Sequence, residues 1–189
     1  MTENMILADA DYVDKVAFDL TVNFERMLER RIPQADMARW AECVALDGGL
    51  REGENEVSLV LVHDHRHDAM ANFTPGNYAD QLNGQAFKGP LGEFSITAIS
   101  TEGLAAKDDL LLDTLRFALE QPDLKRLIVI PNEQQYNKVR EVLRKADADK
   151  RITLLAMQPM PGGHYQQEIL GYSLMAALGI HAEEIKTDN

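Results

Sequence analysis

Two aspartates, Asp9 and Asp11, stand at the end of a short apolar run, Met5–Ala8, and Glu133 follows a second such run, Leu127–Ile130. Asp108 and Asp109 open the amphipathic stretch that leads into the second run. Carboxylates brought together without a compensating Lys or Arg repel one another, and oxygen-ligated Mg²⁺ or Mn²⁺ relieves that repulsion. One or two such ions orient a water and neutralise charge on a phosphodiester as it is cleaved. Asp9, Asp11, Asp109 and Glu133 therefore form a candidate metal-ligand set, with Asp9, Asp109 and Glu133 as candidate catalytic residues. Each acid also has a plainer use. Asp9 or Asp11 suits a helix cap, and Asp108 and Glu133 fall where acids complement a helix dipole.

A second constellation is His63-Asp64-His65-Arg66-His67-Asp68, which follows the apolar run Val57–Val62. Spacing of two on an extended backbone projects His63, His65 and His67 to one face, where with Asp68 they could chelate zinc or another transition metal. The segment is similar to the metallo-β-lactamase pattern His-x-His-x-Asp-His but reverses its last two residues. Arg66 within the cluster repels a cation, which favours a solvated loop with Arg66 offsetting Asp64 or Asp68. Gly162-Gly163 with His164 could expose backbone N–H groups to an anion, but no phosphate-loop Lys-Ser/Thr accompanies them and a plain turn is expected. Cys43, the one cysteine, sits among Trp40, Val44 and Ala45 and reads as a small core residue. It excludes an internal disulfide and any multi-cysteine zinc site. No Gly-x-Ser-x-Gly elbow supports a serine triad.

These residues need elements to hold them. Continuous or alternating apolar runs predict five strands, at Met5–Ala8, Val57–Val62, Phe94–Ser100, Leu127–Ile130 and Ile152–Met157. Helical stripes fall between them, from Val13 to the stop at Pro33, from Met37 to Gly48-Gly49, at Asp108–Glu120 and at Glu133–Ala146. A last stripe, Gln166–Leu178, is apolar round so much of its circumference that it must pack under the preceding loop or on a second subunit. Strands separated by helices call for parallel pairing, hence a three-layer α/β/α sandwich of Rossmann-like type with a mostly parallel five-stranded sheet. Residues 1–189 read as one such domain. Ligands of these sheets bind at the carboxyl ends of the strands, and Asp9, His63, Thr101, Glu102 and Glu133 are all expected at that edge.

The order of elements resembles the PIN and NYN ribonuclease families over residues 4–157, leaving 158–189 as a C-terminal helix and tail. Asn4–Val13 (NMILADADYV) is similar to the NYN opening, a strand ending in aspartate with an acidic or amide residue two positions on. Lys107–Ala118 (KDDLLLDTLRFA) resembles the PIN helix that begins with a metal-binding aspartate. Leu127–Tyr136 (LIVIPNEQQY) can be laid on the NYN strand followed by Ser-Gly-Asp-x-Asp-Phe. Pro131 and Asn132 then replace Ser-Gly, Glu133 and Gln135 stand at the two aspartates, and Tyr136 takes the aromatic position. The resemblance implies a metal-dependent ribonuclease. Its departures, a longer acid at 133 and an amide at 135, imply a degenerate site and a role in protein interaction or homodimerisation through the last helix.

The totals bear on that choice. Lys+Arg number 19 against 31 Asp+Glu, a net charge of −12, which works against nonspecific attraction to RNA or to anionic membrane. No run approaches the roughly 20 apolar residues of a membrane span, and the opening stretch has no basic targeting region, so a cytoplasmic protein is expected.

Overall fold

The computed structural model describes residues 2–101, 106–147, 149–160, 163, 165 and 166–185. Its centre is β1 (Asn4–Asp9), a strand whose six residues are all buried because it is paired on both sides and covered on both faces. Asp9 ends β1 and caps α1 (Ala10–Leu28), accepting a hydrogen bond from the Tyr12 N–H at 3.1 Å. β2 (Ala35–Asp36) follows, and Asp36 caps α2 (Met37–Asp47) through the Arg39 N–H. β3 (Asn55–His63) returns parallel to β1.

The connection from β3 to the next parallel strand is irregular. It contains β4 (Phe73–Thr74), which pairs with β2, a π-helical turn at Tyr78–Leu82, and β5 (Ala86–Gly89). β5 turns back antiparallel onto β6 (Gly92–Ser100). Then come α3 (Lys107–Leu119), β7 (Arg126–Ile130), a 3₁₀ turn at Glu133–Gln135, α4 (Tyr136–Arg144) and β8 (Arg151–Ala156). β9 (Gln166–Ile169), α5 (Leu170–Ala177) and the short α6 (Ala182–Ile185) close the described chain.

The main sheet has seven strands in the order β5-β6-β3-β1-β7-β8-β9. The chain moves outward from β1 through β3 to β6, then crosses back to β7 and moves outward on the other side. The order therefore reverses between β1 and β7, the position at which ligands of such sheets generally bind. Alternation along β1 sends Ile6 and Ala8 into one core with α1, α2 and α5, and Met5 and Leu7 into a second core with α3 and α4. The three-layer α/β/α class expected from the sequence is present.

Two elements depart from that expectation. The sheet has seven strands rather than five, since β5 and β9 add to its edges. Gln166–Ile169 forms the start of no helix but an edge strand on β8, extending the sheet beyond residue 157. Its polar residues suit a strand that is paired on one side only, and so lack the apolar run by which a central strand is read. The apolar circumference of α5 is explained within the chain, because Leu170, Leu174 and Ala177 are buried in the core shared with α1 and α2. Tyr172, 71% exposed, is the large apolar residue this helix leaves outside.

Candidate functional site

The register sets Asp9 level with Val62 of β3, and the preceding Ala8 level with Ile130 of β7, so residues after these strands meet at one edge. Asp9 is fully buried there. Its Oδ2 accepts a hydrogen bond from Asn132 Nδ2 at 2.8 Å, and its Oδ1 lies 3.0 Å from Lys107 Nζ. The same Asn132 Nδ2 donates to Asp108 Oδ1 at 2.9 Å, so one amide bridges two carboxylates. The amide cannot be reversed, because Asn132 Oδ1 accepts the Gln135 N–H at 3.0 Å as the cap of the 3₁₀ turn. Gln135, also buried, donates through Nε2 to the Asp108 carbonyl at 2.6 Å.

Asp11 stands one helical step away. Its Oδ2 accepts the Asp64 N–H at 2.7 Å and lies 3.7 Å from Lys107 Nζ. Its Oδ1 meets His67 Nδ1 at 3.0 Å and the Tyr78 hydroxyl at 3.4 Å. Burial of the Lys107 ammonium opposes its charge, but Asp9, Asp11 and Asp108 together outweigh that penalty and hold its pKa above the ordinary lysine value. Tyr78 is held above the usual phenol range by burial, then by Asp11 and Asp14. Tyr12 is raised likewise by burial and by Glu133.

The structure thus sorts the acids expected from the sequence. Asp9 and Asp11 come together. Asp109 is exposed on the first turn of α3, and Asp108 takes the inward place instead. Glu133 is exposed and accepts the Tyr12 hydroxyl at 3.2 Å rather than joining Asp9. The physical reason is the 3₁₀ turn, which aims its cap Asn132 and its third residue Gln135 inward and turns Glu133 out. Lys107 and Asn132 are the functional residues that sequence reasoning missed. Both lie inside the segments singled out, and Lys107 overturns the premise that no cation accompanies the acids.

The donor set decides what the site can hold. A divalent ion needs lone pairs converging on one point, whereas an ammonium and an amide N–H₂ already face both carboxylate oxygens of Asp9 and Oδ1 of Asp108. Among the described residues, no three His, Cys, Asp or Glu side chains are placed to hold a metal ion. As arranged, the residues do not fit Mg²⁺ or Mn²⁺.

The histidine segment is not extended. The chain turns at once after β3, with the His67 N–H donating to the Asp64 carbonyl, and the period-two projection is lost. His63 is buried, stacks on Tyr78 at 3.6 Å between centroids, and places Nδ1 2.9 Å from the Asp64 carbonyl oxygen. His65 Nδ1 lies 3.4 Å from Asp64, and His67 faces Asp11. The three rings line one cavity of about 450 Å³ with Asp68, yet each has its own partner. Arg66 does offset Asp64, at 2.6 Å, and its side-chain and backbone hydrogen bonds hold that carboxyl well below the usual range.

Of the other sequence candidates, Cys43 is half-buried rather than a core residue, since α2 turns Trp40, Ala41, Val44 and Ala45 inward and leaves Cys43 on its flank; its thiol is pushed up chiefly by burial. Glu102, Gly162 and His164 lie outside the described residues. Among the described residues no helix is long and apolar enough to cross a membrane. No curated protein and no solved structure matches the chain. One family model does, over residues 1–185, and the chain belongs to that family, DUF6621, a family of unknown function.

Proposed function

We propose that this chain is a PIN/NYN-like domain whose acidic site is catalytically silent, and that it acts by binding, as a homodimer or with a protein partner, rather than by cleaving RNA. The observation that carries this reading is the bridge from Asn132 Nδ2 to both Asp9 and Asp108, completed by Lys107 on Asp9. Internal donors supply the positive charge that a nuclease of this type takes from a divalent ion. Asp9 is therefore compensated and fixed without a metal, each of its carboxylate oxygens facing a donor from within the fold.

For the binding role, Tyr172 on α5 is the natural anchor, since an exposed aromatic on a packed helix has the character of an interface hot spot. Incubation of clean protein with single-stranded RNA and Mn²⁺ is expected to give no cleavage above a no-protein blank. Robust Mn²⁺-dependent cleavage that disappears in Asp9→Asn would sink the silent-site reading. Light scattering of the full chain is expected to give a dimer that Tyr172→Glu converts to monomer. A wild-type monomer at high concentration would exclude the homodimer and leave only a partner protein.

A further inference from the structure

At the opposite end of the sheet, where the strands begin, a cavity of about 1030 Å³ opens beside the first residues of β1, β7 and β8. Arg126 and Arg151 are register partners, so their side chains emerge side by side from neighbouring strands. Arg51, from the loop after α2, and Lys125 and Lys150 line the same space. Among the described residues none of the three arginines forms an ion pair, and each lysine is spent on backbone carbonyls. Glu3, Glu52 and Asp149 also border the cavity, which leaves cations in excess within a chain of net charge −12.

The arginine at the centre is built in rather than loose. Arg126 Nη1 donates to the Gly48 carbonyl, while its Nε is buried without a hydrogen-bond partner among the described residues. Gly49, at φ 88°, leaves the guanidinium its room, since a Cβ there would stand 2.9 Å from Arg126 Nη1. Burial, then Arg151 and Arg51, lowers the Arg126 pKa, which is the signature of like charges held together without a counter-ion.

We propose that this cavity is a binding site for a small oligophosphate, the phosphate chain being gripped by Arg51, Arg126 and Arg151. Guanidinium forks match phosphate oxygens in pairs, and three of them call for a ligand carrying more than one negative charge. The volume lies at the upper end of small-molecule sites and admits a nucleoside beside the phosphates. The site is remote from Asp9, so it stands or falls independently of the silent acidic edge. A polyanion is repelled by the chain as a whole, and binding therefore reports a local field.

The test is isothermal titration of the full chain at low salt with inorganic triphosphate, and in a second arm with ADP. Binding in the micromolar range is expected, weakened by about tenfold or more in Arg51→Glu/Arg151→Glu. Both substituted residues are exposed, and circular dichroism checks that the fold is kept. Lys88→Glu, on the exposed β5 strand, is the charge control and should bind as wild type. Similar affinities in the two arms assign recognition to the phosphates alone, and a tighter ADP adds a nucleoside contact; both support the site. No binding by the wild-type chain, or an equal loss in Lys88→Glu, overturns it.

Discussion

Replacing Lys107 removes the ammonium from a carboxylate that has no access to water. Asp9 is 0% exposed and the Lys107 side chain 22%, so the pair is not a surface ion pair contributing a few tenths of a kcal/mol. Breaking a buried pair from one side typically costs about 3–5 kcal/mol. Asp9 keeps its hydrogen bonds from Tyr12 and Asn132, which places Lys107→Ala at the low end, about 3 kcal/mol. For a chain of this length each kcal/mol moves the midpoint by about 2–4 °C, so calorimetry should show a fall of about 6–12 °C. Lys107→Met, which keeps the stem, separates lost packing from lost charge and should recover only the packing share.

The informative addition is metal. In Lys107→Ala the Asp9 and Asp11 oxygens that faced the ammonium are freed, and a weak divalent site is expected. With a dissociation constant of about 1 mM and about 10 mM Mn²⁺, linkage returns about 1.4 kcal/mol, or about 3–6 °C, while wild type is unmoved. Two results refute the reasoning. One is a wild-type midpoint that rises with Mn²⁺ as much as the variant's, and the other is a loss in Lys107→Ala under about 2 °C.

The remaining expectations follow from the same geometry. Asn132→Asp sets a third carboxylate against Asp9 and Asp108 and should destabilise the chain by about 2 kcal/mol without metal; partial restoration by Mn²⁺, read by thermal melts, is the check. Burial, with Glu168 adding to it, raises the Asp47 carboxyl to about 6. A raised folded-state pKa means the folded chain holds the extra proton, so this contribution is fully present below about pH 4, declines as pH rises to about 6 and is flat beyond. Screened by its partial exposure, the effect is about 1 kcal/mol, and Asp47→Asn should remove it from urea midpoints measured across that window. Gly92 has φ 130° and its Cβ position is taken by the Asn55 backbone, so Gly92→Ala should cost about 3 kcal/mol in the same assay, against about 1 kcal/mol for Gly84→Asn, where φ 80° strains the backbone but a Cβ meets nothing within 4 Å.

What could be read from the sequence divides along a physical line. β1, β3 and β7 were legible because a strand buried on both faces must be apolar throughout, and Asp9 could be placed because a polar residue closing such a run marks its carboxyl end. β9 was not, since an edge strand with half its groups in solvent carries no such run and Ile169 lent Gln166–Ile169 to the helix pattern behind it. The acidic site was legible only as a neighbourhood. Whether position 132 or 133 faces Asp9 depends on where the turn after β7 tightens, and capping by Asn132 settles it by one residue. That single step replaces an acid with an amide at the point between Asp9 and Asp108. Lys107 adds a second contribution, because its long stem carries charge from the opening of α3 back to the end of β1, a reach that local spacing does not encode. The charge of −12 is uneven in consequence: the acids at the strand ends are met by internal donors, while at the strand starts Arg51, Arg126 and Arg151 stand together without an ion pair among the described residues. The end of the sheet with unmet electrostatic demand is therefore the cationic one, and a search for this protein's ligand is best begun there with anions.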